Sequence, residues 1–450
     1  MEKNLMTEGS VRRKIIFFAL PIMLGSIFQQ FYNLVDSLIV GNFVGDNALA
    51  AVSTAGNLLF LVVGFFDGVA IGAGIIVARY IGAGNREGTE RAVHTTVAVG
   101  LIASAVMTAI GLIFAPMILR LMKTPPEVLP ESIAYFRVYF AGATGLVMYN
   151  SFVSIIRASG DSQHPLQFLI ISSITNVILD LLFVAVFHWG VSGAAFATAL
   201  SQILSAFLAM RELTRTEGLH KLTLRNIRLE PATAKTIVQY GLPSGLQSSI
   251  ISVGNLVIQS FINGFGPQAM AGVGVYTKLE GMAFIPVTAF AMAMSTFVGQ
   301  NLGAGKTDRV RSGVRFGVLT CIIMAEVIGM VLSMLSPQLI GLFNRTPDVI
   351  AFGRYRAVVC GPFFFLVAFT HAMAAVIRGA GKPQIPTTVF LFCWCLVRVV
   401  VVTVGDQLGA GFWLAIWVYP LTWLLSATSL LFCYRHLRFT TGSDLGRSAA

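Results

Sequence analysis

Residues 15–41 read IIFFALPIMLGSIFQQFYNLVDSLIVG, 27 residues carrying one charge, Asp36. Wound as a helix rising ~1.5 Å per residue, the stretch reaches about 40 Å, more than a hydrocarbon core of ~30 Å requires. A helix satisfies its own backbone groups, so this run suits a bilayer far better than water. Arg12, Arg13 and Lys14 stand immediately before it, as expected of a span entered from the cytoplasm. A basic stretch leading into an apolar one also resembles a secretory leader. Here the apolar run continues to residue 41 with no small-residue cleavage site after a short core, so we read it as a retained first span.

The rest of the chain repeats the pattern. Predominantly apolar stretches cover 15–41, 50–77, 92–118, 133–157, 166–187 and 191–210, then 236–262, 269–298, 313–340, 353–377, 387–404 and 410–434. Hydrophobic residues make up 56 % of the 450 and charged residues 11 %, with a mean hydropathy of +0.78. Soluble domains average about 25 % charged residues. The composition excludes a soluble enzyme, a disordered chain, a coiled coil and a disulfide scaffold. The five cysteines (321, 360, 393, 395 and 433) all fall in apolar runs. Cys393 and Cys395, two apart, point to different faces of a helix and have no nearby histidine, so they read as small apolar side chains.

Residues 211–235, RELTRTEGLHKLTLRNIRLEPATAK, form the one long polar connector and divide the chain almost evenly. The expected fold is an all-α polytopic membrane protein, with about twelve transmembrane helices in two pseudo-symmetric six-helix bundles. The N-terminal bundle takes residues 1–210, the connector 211–235 is cytoplasmic, and the C-terminal bundle takes 236–450. The formal charge of +11 reflects loop residues rather than a nucleic-acid surface, since no basic stripe with interleaved aromatics is present. With both termini placed in the cytoplasm of a multi-pass cell (inner) membrane protein, inside segments hold 23 Lys and Arg. Outside loops and their margins then hold 6: Arg120, Lys123, Arg137, Arg345, Arg354 and Arg356. Lys278 and Arg398 fall within spans.

The two halves repeat one another. TPPEV at 124–128 meets RTPDV at 345–349, Ile-Arg-Ala-Ser-Gly at 156–160 meets Ile-Arg-Gly-Ala-Gly at 377–381, and Ile-Gly-Ala-Gly at 81–84 meets Leu-Gly-Ala-Gly at 302–305, all at an offset of 221. Ala-Leu-Pro at 19–21 meets Gly-Leu-Pro at 241–243 at 222, one indel apart. Six spans per half is an even number, so both halves enter the membrane in the same direction. Parallel repeats of this kind, with a cavity between them, are a transporter design.

Charged groups at bilayer depth are costly, so each one is informative. The intramembrane acids are Asp36, Asp67, Asp180, Glu280 and Glu326. Asp36 lies about five residues from the outer end of span 1, and Asp180 about seven from the outer end of span 5. Asn176 precedes Asp180 by four and shares its helix face, and Thr198 lies about seven residues into span 6. At ~1.5 Å per residue these four groups sit roughly 7–17 Å below the outer interface and can converge in one pocket. Two carboxylates, an amide and a hydroxyl offer hard oxygen ligands for Na⁺, or a shared proton site.

Pro21, fifteen residues before Asp36, removes a helix hydrogen bond and marks a hinge. Its counterpart Pro243 shares a span with Gln247, Asn255 and Gln259 but with no acid, so cation coupling is expected mainly in the N-terminal half. Glu280 follows Lys278 by two, a poor helical pair, and is read as a cavity residue. Arg398 is expected to pair with an acid or with carbonyls, with Gln247 and Asn255 as further cavity or charge partners. Asp67 and Glu326 show no clear partner.

Glycine strings such as Ile71-Gly72-Ala73-Gly74 do not lie between a strand and a helix, and no Walker A string is present, so nucleotide binding and ATP-driven transport are not indicated. Small residues at helix interfaces explain these glycines. The six histidines are scattered and only His371 is clearly within a span, which argues against a membrane enzyme.

At Leu-Pro near the start of spans 1 and 7, Val-Asp-Ser-Leu-Ile-Val-Gly at 35–41, Val-Gly-Gln-Asn-Leu-Gly-Ala-Gly at 298–305, Arg-Ala-Ser-Gly-Asp at 157–161, Asn176 with Asp180, and GVSGAAFAT at 190–198, the chain resembles the multidrug and toxic compound extrusion (MATE) family over nearly its whole length. The resemblance implies twelve helices in two bundles and secondary active efflux, exchanging Na⁺ or H⁺ for organic cations with no cofactor beyond the coupling ion. Asp36, Asn176, Asp180 and Thr198 match the positions that some members use as a cation site. Pro21 matches the proline at which bending has been proposed. Some branches carry a glutamate on the seventh helix, where this sequence reads SSIISVG. A small organic cation or drug is the expected partner, membrane lipid the surroundings, and a monomer the expected state. The alternative is a lipid-linked oligosaccharide flippase of the same broad superfamily, which needs more cationic cavity side chains than Arg398 and Lys278.

Overall fold

The computed structural model describes residues 5–121 and 124–437, excepting the side chains of 46–47, 49–51, 53–62 and 65. Lys3, Lys123, Arg438 and Arg447, all counted in the orientation argument, lie outside the described residues, as do the chain ends to which the cytoplasmic placement refers. Every regular element among the described residues is a helix. The rods are α1 (Val11–Phe43), α2 (Asp46–Gly82), α3 (Arg86–Leu121), α4 (Leu129–Ala141 and Ala143–Ala158), α5 (Gln163–Val186), α6 (Gly190–Arg215), α7 (Pro231–Asn263), α8 (Pro267–Ala283 and Ile285–Gly303), α9 (Thr307–Gly341), α10 (Pro347–Gly379), α11 (Gln384–Gln407) and α12 (Phe412–His436). Nine of the described helices are long and apolar enough to cross a membrane, and eleven if each bent pair counts as one span. With α2 that gives the twelve rods the hydropathy pattern indicates.

Two rods are bent, and the sequence supplies the causes. α4 turns by 46° at Gly142, where a Cβ would lie 2.3 Å from that of Ala199 on α6, so only glycine admits the approach. α8 turns by 43° at Phe284, immediately before Ile285-Pro286, whose ring cannot continue the preceding helix. The repeated glycine motifs close helices: Gly84 and Gly305, one per half, both take positive φ, at 64° and 70°. Leu319, Ile323, Val327 and Met334 form an exposed stripe along α9 at helical spacing, the surface a lipid phase covers.

Two compact units emerge. One is built on Leu24–Gly245, the other on Met6–Met23 together with 246–437. This partition differs from a division at 210 and 236 in two places: residues 6–23 group with the second unit and 236–245 with the first. The changes of membership fall two residues after Pro21 in α1 and two after Pro243 in α7. In the first unit, buried side chains gather in two clusters, one around Ala73, Ile76 and Phe152 and one around Met107, Phe136 and Val184. The second unit packs about Tyr276, Phe297, Phe364 and Trp394. Within the first unit α2 and α7 approach backbone to backbone: Gly68 and Gly72 face Gly245 and Gly241, a small-xxx-small pair on each helix.

Candidate functional site

In the first unit, Asp180 ends the regular α-helical part of α5, and Leu181–Val186 continue as a π-helix. Such windings recur at functional sites because they re-aim side chains. Asp180 and Asn176 are buried at 0 % and 1 % exposure. Asn176 Nδ2 donates to Thr198 Oγ1 on α6 at 3.4 Å, and that hydroxyl donates to the Ala194 carbonyl at 3.1 Å. The carboxyl groups of Asp36 on α1 and Asp180 lie within hydrogen-bonding reach of each other. The four oxygens Asp36 Oδ1, Asn176 Oδ1, Asp180 Oδ1 and Asp180 Oδ2 are buried and receive no N–H or O–H donor.

Four orphaned oxygens cost several kcal/mol in hydrocarbon surroundings unless something positive satisfies them. A shared proton satisfies two of them, and a small hard cation satisfies all four. The donor set, carboxylate and amide oxygens with a hydroxyl beside them, suits Na⁺ and contains no soft ligand. Among the described residues no group of three or more His, Cys, Asp or Glu forms a metal cluster. Tyr32 and Tyr135 bring their phenols into the electrostatic neighbourhood of the pair, and Tyr139 stands nearer Asp67. Sequence reasoning missed these tyrosines, and its one available signal was Tyr32 a turn ahead of Asp36.

The remaining acids have partners that spacing alone did not show. Asp67 Oδ1 accepts from Asn150 Nδ2 on α4 at 2.5 Å, and Glu326 Oε2 accepts the Phe365 amide at 3.2 Å. Glu280 pairs not with Lys278 but with Arg356, Nη2 to Oε2 at 2.8 Å. Arg356 also donates to Thr277 Oγ1 at 2.7 Å. The sequence reading put Arg356 in an outer-loop margin. It is 4 % exposed and inside α10.

Arg398 meets one of its expected partners and one that was not foreseen: Nη1 donates to the side-chain carbonyl Asn255 Oδ1 at 2.8 Å and Nε to Thr422 Oγ1 at 3.2 Å. Its guanidinium carbon stands 4.8 Å from the Trp394 ring centre and 4.9 Å from that of Tyr419. Gln247 Oε1 accepts from Arg378 at 3.0 Å, and Gln259 donates to Asn263 at 2.9 Å on an exposed face. Pro21 is buried within α1.

Twelve rods in duplicated halves, with ionisable groups buried at bilayer depth, define a membrane transporter rather than an enzyme. The MatE family profile matches the chain twice, over residues 21–182 and 243–404, which is the internal repeat itself. The chain belongs to the MatE family. It is 28 % identical, over 96 % of its length and 95 % of the relative's, to the probable multidrug resistance protein YoeA of Bacillus subtilis. It is 29 % identical to the probable multidrug resistance protein YpnP of the same organism, over 83 % of this chain and 84 % of that one. Its fold is similar to that of a MOP superfamily transporter from Pyrococcus furiosus, with a TM-score of 0.88, 22 % identity and 99 % of both chains covered.

Proposed function

We propose that this protein is a multidrug exporter of the cell membrane, exchanging Na⁺ or H⁺ for small organic cations by alternating access. The coupling ion binds at Asp36, Asn176, Asp180 and Thr198 in the N-terminal half. The observation that carries the reading is the meeting of two carboxyls from α1 and α5, three of whose four oxygens are buried and without donors. Such a pair is accommodated in two ways: protonated or cation-loaded, or empty but opened to water. The relatives described as multidrug resistance proteins support the choice of solute. The protein acts as a monomer, with both termini cytoplasmic.

Pro21 is the hinge. It frees one backbone carbonyl, and α1 changes unit membership two residues later. Loading Asp36 then favours one bend of the helix over the other. P21A is expected to slow exchange several-fold while ion binding persists. An unchanged exchange rate counts against the hinge.

The test is proteoliposome transport of ethidium under Na⁺ and pH gradients imposed separately. One of the two gradients is expected to drive ethidium movement. Equal rates with and without both gradients contradict ion coupling.

A further inference from the structure

The second unit contains a buried charged cluster that ion coupling in the first does not use. Arg356 and Arg398 flank the ring of Tyr419, at 4.6 Å and 4.9 Å from its centre. One carboxylate, Glu280, serves the two guanidiniums, and it is engaged by Arg356. Arg398 is 1 % exposed, and its hydrogen-bond acceptors are the neutral side-chain oxygens of Asn255 and Thr422. Taking a guanidinium out of water with only neutral acceptors and aromatic faces is costly, and an anion removes that cost.

The internal repeat shows where this cluster stands in the fold. At the offset of 221, Arg356 takes the position of Tyr135, Arg398 that of Val177 and Tyr419 that of Thr198. At 222, Asn255 takes that of Asn33, three residues before Asp36. The same four helices of each half thus build a polar centre, acidic in the first unit and basic in the second. Each centre adjoins a π-helical segment, Leu181–Val186 in α5 and Leu391–Leu396 in α11. A cavity of about 650 Å³ opens between α7 and α11, lined by Val257, Ser260, Phe261, Val402, Thr403 and Asp406 among others. Val402 and Asp406 stand one and two turns beyond Arg398 on its own helix face. The volume is that of a drug-sized pocket.

We propose that Arg398, supported by Arg356, is a subsite for the oxyanion, carboxylate or phosphate, of an aromatic solute that enters through this cavity. Solutes carrying both signs of charge are therefore accepted, with the positive end near Asp406, about 12 Å away along α11. A guanidinium presents its donors as a planar fork that fits such an oxyanion. The rings of Trp394 and Tyr419, with centres 4.8 Å and 4.9 Å from the guanidinium carbon, help to hold that fork in place. The inference rests on the transporter reading and adds a solute class to it.

Two dyes separate the charge from the ring system. Rhodamine 110 carries a free benzoate, and rhodamine 123 is its methyl ester. Their binding to the purified full-length protein is read by fluorescence anisotropy, with sodium benzoate or inorganic phosphate as competitor. The wild type is expected to bind rhodamine 110 more tightly than rhodamine 123. At least one of the two competitors is expected to weaken rhodamine 110 selectively, and which one does so identifies the oxyanion. R398Q is expected to lower the ratio of the two dye affinities by roughly tenfold or more, and R398K by less.

Equal binding of the two dyes by the wild type, a ratio unchanged in R398Q, or no selective competition by either anion overturns the proposal. The wild-type competition decides alone if R398Q does not fold. Ethidium transport in vesicles of the same preparation keeps the two readings apart. If ion dependence is lost there while the dye ratio holds, it is the coupling reading that fails.

Discussion

D36N and D180N are each expected to reduce gradient-driven ethidium transport by roughly 10- to 100-fold, the effect of losing one charged ligand worth ~1.5–3 kcal/mol. An asparagine cannot take up the coupling proton, and against Na⁺ it supplies a dipole where a charge stood. Neither substitution is expected to lower thermal stability, because Asp36 Oδ1 and both Asp180 oxygens are buried without donors in the wild type. This separates the prediction from ordinary structural damage. A substitution that breaks a satisfied buried contact lowers activity and melting temperature together. Here activity falls alone, read by transport in vesicles and by thermal unfolding of the same preparations. A variant with full gradient-driven activity contradicts the role assigned to its carboxylate.

The largest effect on folding is expected at Gly72. A Cβ there lies 2.4 Å from the Gly241 backbone nitrogen, and at Gly68 it lies 2.3 Å from that of Gly245. Both obstacles are backbone, so no side-chain rotation relieves them, and the two helices must move apart. In hydrocarbon, helix association depends on close packing, since lipid is as apolar as any side chain. G72A is expected to cost about 3 kcal/mol, and G72L to abolish recovery of folded protein. Gly281 on α8 has open space where its Cβ would stand, and G281A is expected to be neutral or stabilising by up to ~1 kcal/mol. Size-exclusion profiles and melting temperatures of the three variants check this. Equal behaviour of G72L and G281A contradicts the close approach.

The twelve rods and the duplication were legible because hydropathy and a fixed offset are properties of the chain alone. So was the grouping of Asn176, Asp180 and Thr198, since helix rise fixes their depth and a spacing of four fixes a common face. The bend of α8 had a local sign in Pro286. That of α4 had none, because Gly142 is required by Ala199, 57 positions away. The basic centre was misread for the same reason. Arg356 stands among Arg345 and Arg354 near a span end and counts as a loop charge until Glu280, 76 positions earlier, is seen beside it. Arg398 was expected to find an acid or carbonyls because buried charges usually do. The side-chain carbonyl of Asn255 on α7 is such a partner, while the Thr422 hydroxyl and the rings of Trp394 and Tyr419, on α11 and α12, were not foreseen. Contacts between distant segments are set by tertiary packing, which periodicity does not encode.

The central claim is that the carboxyls of α1 and α5 take up the coupling ion together. Ion uptake by purified protein tests it without any solute: proton release in weakly buffered detergent solution as Na⁺ is added, together with direct Na⁺ binding. The wild type is expected to exchange protons for Na⁺, or to hold a proton that Na⁺ does not displace but alkaline pH removes. In either case the signal is expected to vanish in the double variant D36N/D180N. An undiminished signal in the double variant would place the coupling ion elsewhere and contradict the account.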